Sequence, residues 1–472
     1  MLIIILIGIV SVLVPVSRYL YERKENKKTN EEALYTLIMD NSMFAVIGAV
    51  ILFIIMILTG IKFNVKEIID VKTISTIIIT AIAGITLMIF RAYAVNKLED
   101  SVKLTRNYQG LIKKYPAEKN WFSYTLAKDN LACLKMAEKE EIEDNKNVVK
   151  FPVIVDAMLD ERQIEIIDNK DKEDMYDLPD CIKPFEAELF KAHDTSHIYN
   201  QLNVRVKNWE AKDDKFIIET ERTTYFKSMV TNRAIDFRLK NEMTVRDLLQ
   251  YGPFVPPLKD SLLSNHLGFN GFIVSSIDRV IPLVKRKNDV SIGKNAFGPS
   301  ISASLKTMYC LDEDGCFTVK GLIKGIREEI ADELKIQDNG IKELDESNII
   351  VAYRDIVEGN KPQLLFYCLI SKSKEDIDNA FKKAMKEKHK RKRFIKSTEE
   401  REKEDGSYLK WIEVDKLKDA VYLDNCIIYE GERIKSVPSS IVSLMLAYKP
   451  IQKELEEMNK KEQNNTETRE MI

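Results

Sequence analysis

The sequence has few of the residues that build metal or disulfide frameworks. Six cysteines, at positions 133, 181, 310, 316, 368 and 426, are scattered through 472 residues with no C-x-x-C pair. This excludes a disulfide scaffold and a cysteine zinc site, and predicts buried, reduced thiols. His193 and His197 lie four apart, a spacing that suits a shared metal on a helix, yet only Asp194 is a nearby acid and no cysteine accompanies them. The chain also lacks a net charge of either sign: the balance is -2, so no global field draws it to a nucleic acid polymer.

Charge is missing locally as well. Ser42 to Ile61 and Thr73 to Phe90 contain no charged residue, and Leu2 to Leu20 is apolar apart from Ser11, Pro15, Ser17 and Arg18. Each run is long enough, or nearly so, to cross a hydrocarbon core of about 30 Å as a helix. The first has neither a basic n-region nor an A-x-A-like cleavage site, so it reads as a retained span rather than a signal peptide. No acid or base sits within the second or third run, which argues against a transporter or proton relay. The loop after the first run carries Arg18, Arg23, Lys24, Lys27 and Lys28, more than the loop after the second. The positive-inside rule then puts the N-terminus outside and the long C-terminal part in the cytoplasm. The expected organisation is three transmembrane helices over 1–97, a helical or mixed connector over 98–194, an α/β domain over 195–450 and a disordered tail over 451–472. Membrane lipid is accordingly an expected partner.

Within the connector, Glu118 to Glu143 reads as a Lys- and Glu-rich helix. The segment VIVDAML suits strand or helix, and QIEII alternates like a strand. Further on, VRVKNW and KFIIET are strand candidates, and FNGFIVSS with RVIPLVKR forms a hairpin. Lys285 and Arg286 end the second strand of that hairpin, beside a loop with Gly293, Gly298 and Pro299. Cations beside exposed backbone amides suit a phosphate, although a basic strand end is often only solvated. NIIVAYRDIV and QLLFYCLI are two more strands. Arg354 on the first is a second phosphate candidate or, equally, one half of an ion pair. The basic run 382–396 suits nucleic acid, lipid or a nucleotide, but it has one aromatic and is followed by TEEREKED, which fits a solvated charged segment.

Phe317 to Ile336 is the most informative stretch. Ile323, Ile326, Ile330 and Leu334 recur at helical spacing. Glu329, Asp332 and Glu333 share one face of the same helix. Three anions at such spacing suit a hard divalent cation such as Mg²⁺; the same pattern suits a solvated acidic face with Lys and Arg partners.

Glu329-Ile330-Ala331-Asp332-Glu333-Leu334 resembles the back half of a Nudix box. Glu329 takes the first Glu slot, and Asp332 and Glu333 take the paired acids. The front half departs from the pattern: Glu328 stands where the box has Arg, Lys335 where it has Gly, Lys320 where it has the upstream Glu, and Asp314 where it opens with Gly. Together with TTYFKSMVTNRAIDF, SNHLGFNGFIV and the VKRK strand, the chain from about Thr195 to Lys449 resembles the transmembrane-Nudix effectors of bacterial CBASS antiphage systems. The resemblance implies an α-helical membrane anchor in the bacterial inner membrane plus an α/β soluble domain, a Nudix-like α/β/α sandwich with a mixed sheet. It implies a homo-oligomeric effector whose cytoplasmic domain binds a cyclic nucleotide second messenger and triggers membrane disruption. Nucleotide contacts are expected from Lys285, Arg286 and Arg354, and Mg²⁺, if used, from Glu329, Asp332 and Glu333. The alternative is a membrane-anchored, Mg²⁺-dependent Nudix hydrolase of nucleoside diphosphate derivatives. The missing Arg, Gly and upstream Glu favour the sensor over the hydrolase.

Overall fold

The computed structural model describes residues 104–126, 147–171, 175–191, 200–239, 242–286, 296–334, 336, 341, 344–391 and 406–470. All of them belong to the unit Ser101–Ile472. In chain order the strands are Trp121–Thr125 (β1), Val148–Met158 (β2), Gln163–Asp168 (β3), Leu202–Lys212 (β4), Lys215–Thr224 (β5), Gly268–Ser275 (β6), Val280–Arg286 (β7), Phe297–Gly298 (β8), Ile301–Ser304 (β9), Ile349–Asp355 (β10), Lys361–Ile370 (β11), Gly406–Glu413 (β12), Val421–Tyr422 (β13), Cys426–Tyr429 (β14) and Glu432–Lys435 (β15). The helices are Tyr108–Lys114 (α1), Glu186–Lys191 (α2), Tyr225–Met229 (α3), Val245–Leu249 (α4), Thr307–Cys310 (α5), Val319–Leu334 (α6), Lys374–Arg391 (α7) and Pro438–Glu470 (α8).

A nine-stranded mixed sheet runs β1-β2-β10-β11-β6-β7-β12, with β9 beside β6 and β8 beside β7. Its two central strands, β6 and β11, are parallel, and its other pairings are antiparallel. A parallel pair buried on both faces needs apolar residues at odd and even positions alike. β6 meets this: Phe272 and Val274 enter one core, Phe269 and Ile273 the other. The first core is closed by Ile441, Leu444, Ala447 and Ile451 of α8. The second is closed by Leu322, Ile326, Ile330 and Leu334 of α6, and by Ile377 and Phe381 of α7.

A smaller sheet, β3-β5-β4, adds Val204, Val206, Phe216 and Ile218 to the second core. Its β4 edge is stitched to the large sheet: Val204 N–H donates to Leu305 O at 3.2 Å, and Leu267 N–H donates to Val204 O at 2.8 Å.

The acidic helix α6 starts at Thr318, whose hydroxyl accepts from Gly321 N at 3.1 Å and so satisfies one of the helix's free N–H groups. Gly321 is required where it stands, because a Cβ there would lie 2.0 Å from the Cys310 carbonyl oxygen. This close approach sets α6 against α5.

Several expectations are corrected. The expected fold class joined a helical membrane anchor to a Nudix-like sandwich; the described residues form a mixed α/β fold, and none of their helices is long and apolar enough to cross a membrane. The expected anchor and multi-pass inner-membrane placement therefore have no counterpart among the described residues. The two longest described helices are too charged to cross: α7 is dense in Lys and Glu, and α8 becomes charged from Lys453 onward. The three spans expected in 1–97 lie outside the described residues, as do His193, His197 and most of the basic run's later part.

The boundary expected at residue 195 also fails. VIVDAML is part of β2, which pairs with β10 inside the large sheet. Residues 121–125, expected in a helix, form edge strand β1. The tail expected to be disordered from 451 continues as helix α8 to Glu470, with Ile451 and Leu455 buried.

Candidate functional site

The three carboxylates of α6 do not share one environment. Glu329 is buried at 3 % exposure, whereas Asp332 and Glu333 are half-buried. Lys306, just before α5, brings its Nζ to 2.7 Å from Glu329 Oε1. The Tyr309 hydroxyl donates to Asp332 Oδ2 at 2.8 Å, and Lys306 Nζ also lies 5.1 Å from the centre of the Tyr309 ring. Burial and the neighbouring Asp332, Glu329 and Glu328 push the Tyr309 phenol well above its ordinary range, so it stays a donor. Lys306 thus brings a positive charge from the chain itself to Glu329. Among the described residues, no three His, Cys, Asp or Glu side chains are grouped to hold a metal ion.

The three cations expected to meet a nucleotide do not converge. Arg354 stands on β10, with β11 and β6 between it and β7. It forms a fork with Asp156, Nε to Oδ2 at 2.7 Å and Nη2 to Oδ1 at 2.9 Å. Its remaining donor reaches Asn360 Oδ1 at 3.0 Å and Pro256 O at 3.2 Å. Trp209 Nε1 adds a bond to Asp156 Oδ2 at 2.8 Å. Arg354 thus ties β10 to β2 and to the segment around Pro256, and the ion-pair reading holds for it. Lys285 lies 5.0 Å from the Tyr408 ring centre and 6.0 Å from that of Phe297, a cation held by aromatic faces. Tyr408 is exposed and Phe297 packs edge-on to it, ring centres 5.5 Å apart.

Arg286 belongs to a constellation that the sequence did not reveal. It acts together with Arg233 and Lys361 on Glu358, a buried carboxylate in the turn between β10 and β11. Lys361 Nζ is 3.3 Å and Arg233 Nε 3.5 Å from the same oxygen, Glu358 Oε2. Burial alone would push the Glu358 carboxyl up; Arg233, Lys361 and Arg286 outweigh it and hold the group below its ordinary value. Burial, with Arg233 adding to it, pulls the Lys361 amine down. Asp355, in the same turn, is pushed up to about 6 by burial and by Glu358.

The turn that carries Glu358 is held by its backbone. Arg246 donates to Ile356 O at 2.9 Å and Val357 O at 3.1 Å. Asn232 donates to Glu358 O at 3.1 Å, and Gln250 to Gly359 O at 3.1 Å. Arg246 is itself fixed by Asp236, Nε to Oδ1 at 2.6 Å.

Beside this cluster, on the approach to β6, lies His266. It is fully buried, and neither ring nitrogen has a hydrogen-bond partner. Burial, then Lys361 and Arg233, hold its imidazole well below the ordinary value, so it is neutral. Two residues on is Gly268, where a Cβ would stand 2.3 Å from Gln363 Oε1 and 2.9 Å from Lys361 Cε. The absence of a side chain at 268 lets Gln363 and Lys361 lie across the strand, and Gln363 Oε1 also lacks a partner. Glu358 and Lys361 carried one sequence signal: they are the two charges of an EGNK turn between two apolar strands. Against known proteins, the chain matches no family model and no curated protein.

Proposed function

We propose that the unit Ser101–Ile472 is a nucleotide receptor. It binds a cyclic oligonucleotide messenger of a bacterial CBASS-type antiphage response and does not hydrolyse it. The observation that carries the non-hydrolytic half is the Lys306–Glu329 pair, at 2.7 Å with Glu329 buried. In a Mg²⁺-dependent hydrolase the helix carboxylates hold an exchangeable cation that also grips the pyrophosphate and activates water. A tethered ammonium at Glu329 balances the charge but offers no open coordination position. Glu328, Lys320 and Lys335, standing where the Nudix box has Arg, Glu and Gly, point the same way. The nucleotide half draws on the resemblance of the sequence and on the gathering of Arg233, Arg286 and Lys361.

As a receptor, the protein signals only if the messenger favours one arrangement of the protein, or of its oligomer, over another. Calorimetry on the full-length chain, with a panel of cyclic and linear oligonucleotides with and without Mg²⁺, tests the proposal. Product chromatography is run on each mixture. Saturable binding with intact ligand recovered is the expected result. Mg²⁺-dependent cleavage that Glu333→Gln abolishes would establish the hydrolase instead, and absence of binding across the panel would remove the receptor reading.

A further inference from the structure

We infer that the cluster around Glu358 is a phosphoryl-anion site that the protein keeps occupied with its own carboxylate, which an incoming phosphate displaces. That the phosphate belongs to a nucleotide rests on the proposed function; the anion site itself does not.

The geometry at Glu358 differs from that of the structural ion pairs nearby. Arg354 and Asp156 meet fork to fork at 2.7 and 2.9 Å, and Arg246 meets Asp236 at 2.6 Å. Glu358 Oε2 instead lies between Lys361 and Arg233 at longer distances, 3.3 and 3.5 Å. A carboxylate held at such longer contacts between two cations neutralises them less tightly than a fork-to-fork pair does. A phosphate, with more oxygens and a tetrahedral spread, reaches several donors at once. Arg233, Arg286 and Lys361 all act on Glu358, and Asp355 lies in the same turn.

Two further features point to a ligand. His266 is 0 % exposed with both ring nitrogens unpartnered, and Gln363 Oε1 is buried and unpartnered. Such groups are rare in a closed interior, because each forfeits its bonds to water. His266 lies in the field of Lys361 and Arg233, so an anion entering between those two cations gives its N–H an acceptor. Arg233 and Arg286 are partly exposed, whereas Lys361 and Glu358 are buried. Because Asn232, Arg246 and Gln250 clamp the turn's backbone, displacement requires only that the Glu358 side chain swing outward.

The test uses the full-length chain, with inorganic phosphate and pyrophosphate as probes against sodium chloride at matched ionic strength, read by calorimetry and thermal unfolding. Glu358→Gln removes the internal competitor and is expected to bind either probe at least ~10-fold more tightly than wild type, a change of about 1.4 kcal/mol or more. Its melting temperature should rise more with phosphate than that of the wild type. Adding Arg233→Met to that variant should reverse the gain. Equal affinity of wild type and Glu358→Gln, or no loss with Arg233→Met, overturns the site. Should Glu358→Gln fold only with phosphate present, the inference is supported. Should it not fold at all, Glu358→Asp decides: its shorter acid should bind phosphate more tightly than wild type, and no gain overturns the site. A cyclic oligonucleotide that binds all variants equally would leave the receptor standing and overturn the assignment of this site to the nucleotide's phosphate. A phosphate response without oligonucleotide binding would do the reverse.

Discussion

The acidic face of α6 and the turn between β10 and β11 each bury a carboxylate, and they balance it in opposite ways. At α6, one lysine meets Glu329 at 2.7 Å, while Asp332 and Glu333 remain nearer solvent. At the turn, Glu358 is outnumbered by Arg233, Arg286 and Lys361, and its contacts are longer. A short contact to a tethered cation suits a finished structural element. Longer contacts shared among several cations suit a place where the charge can be exchanged. The residues that look most like a site in the sequence are thus the more settled ones in the fold.

Mutations break this comparison at different depths. Lys361→Met has the largest expected effect. It leaves Glu358 buried with its nearest cation removed, and such breakage of a buried pair costs about 3–5 kcal/mol. Urea unfolding should show it as a lowered midpoint without a change in slope. Lys306→Met is expected to cost somewhat less, about 3 kcal/mol, since the lysine is 20 % exposed at its side chain. Its sharper reading is with Mg²⁺: if Lys306 substitutes for a metal, the variant should regain stability on adding Mg²⁺, whereas wild type should not. A Mg²⁺ response of equal size in both proteins would mean that Lys306 is not the substitute.

The pH dependence follows from His266. Its folded value is depressed by burial, Lys361 and Arg233, below an unfolded value near about 6.5. The unfolded chain therefore binds the proton first as pH falls, and stability is lost below that pH, by up to about 1.4 kcal/mol per pH unit. Asp355 works in the opposite direction: its folded value is raised to about 6, so its contribution grows as pH falls through that value. His266→Gln should flatten the loss between pH 6.5 and 5, measured by chemical unfolding at each pH. Tyr309→Phe has the smallest effect, about 0.5–1.5 kcal/mol from the lost bond to Asp332. It should leave phosphate binding at the Glu358 turn unchanged.

Local order was legible in the sequence wherever neighbours in the chain are neighbours in the fold. The repeat Ile326, Ile330, Leu334 marks the buried face of α6, while Ile323 is only partly covered. FNGFIVSS and RVIPLVKR are β6 and β7, and NIIVAYRDIV and QLLFYCLI are β10 and β11. Arg354 fitted an ion pair or a phosphate from its type alone; its alignment with Asp156, 198 residues away, is visible only in the fold. The same limit hid the Glu358 cluster. Arg233, His266, Arg286 and Lys361 come from four separate segments, and hydropathy sees none of them as buried. The parallel β6–β11 pairing joins strands separated by β9, α6 and β10 in the chain, and no local period encodes it.

The position of β2 has a practical consequence. It lies between β1 and β10 in the large sheet, and Asp156 on it holds Arg354. A chain shortened to begin after residue 194 would strip β10 of its neighbour and β5 of its parallel companion β3. Two unsaturated strand edges would then face water, each a template for pairing with another molecule. The shortened protein should come out of solution as aggregates, while one that starts before β1 should remain dispersed.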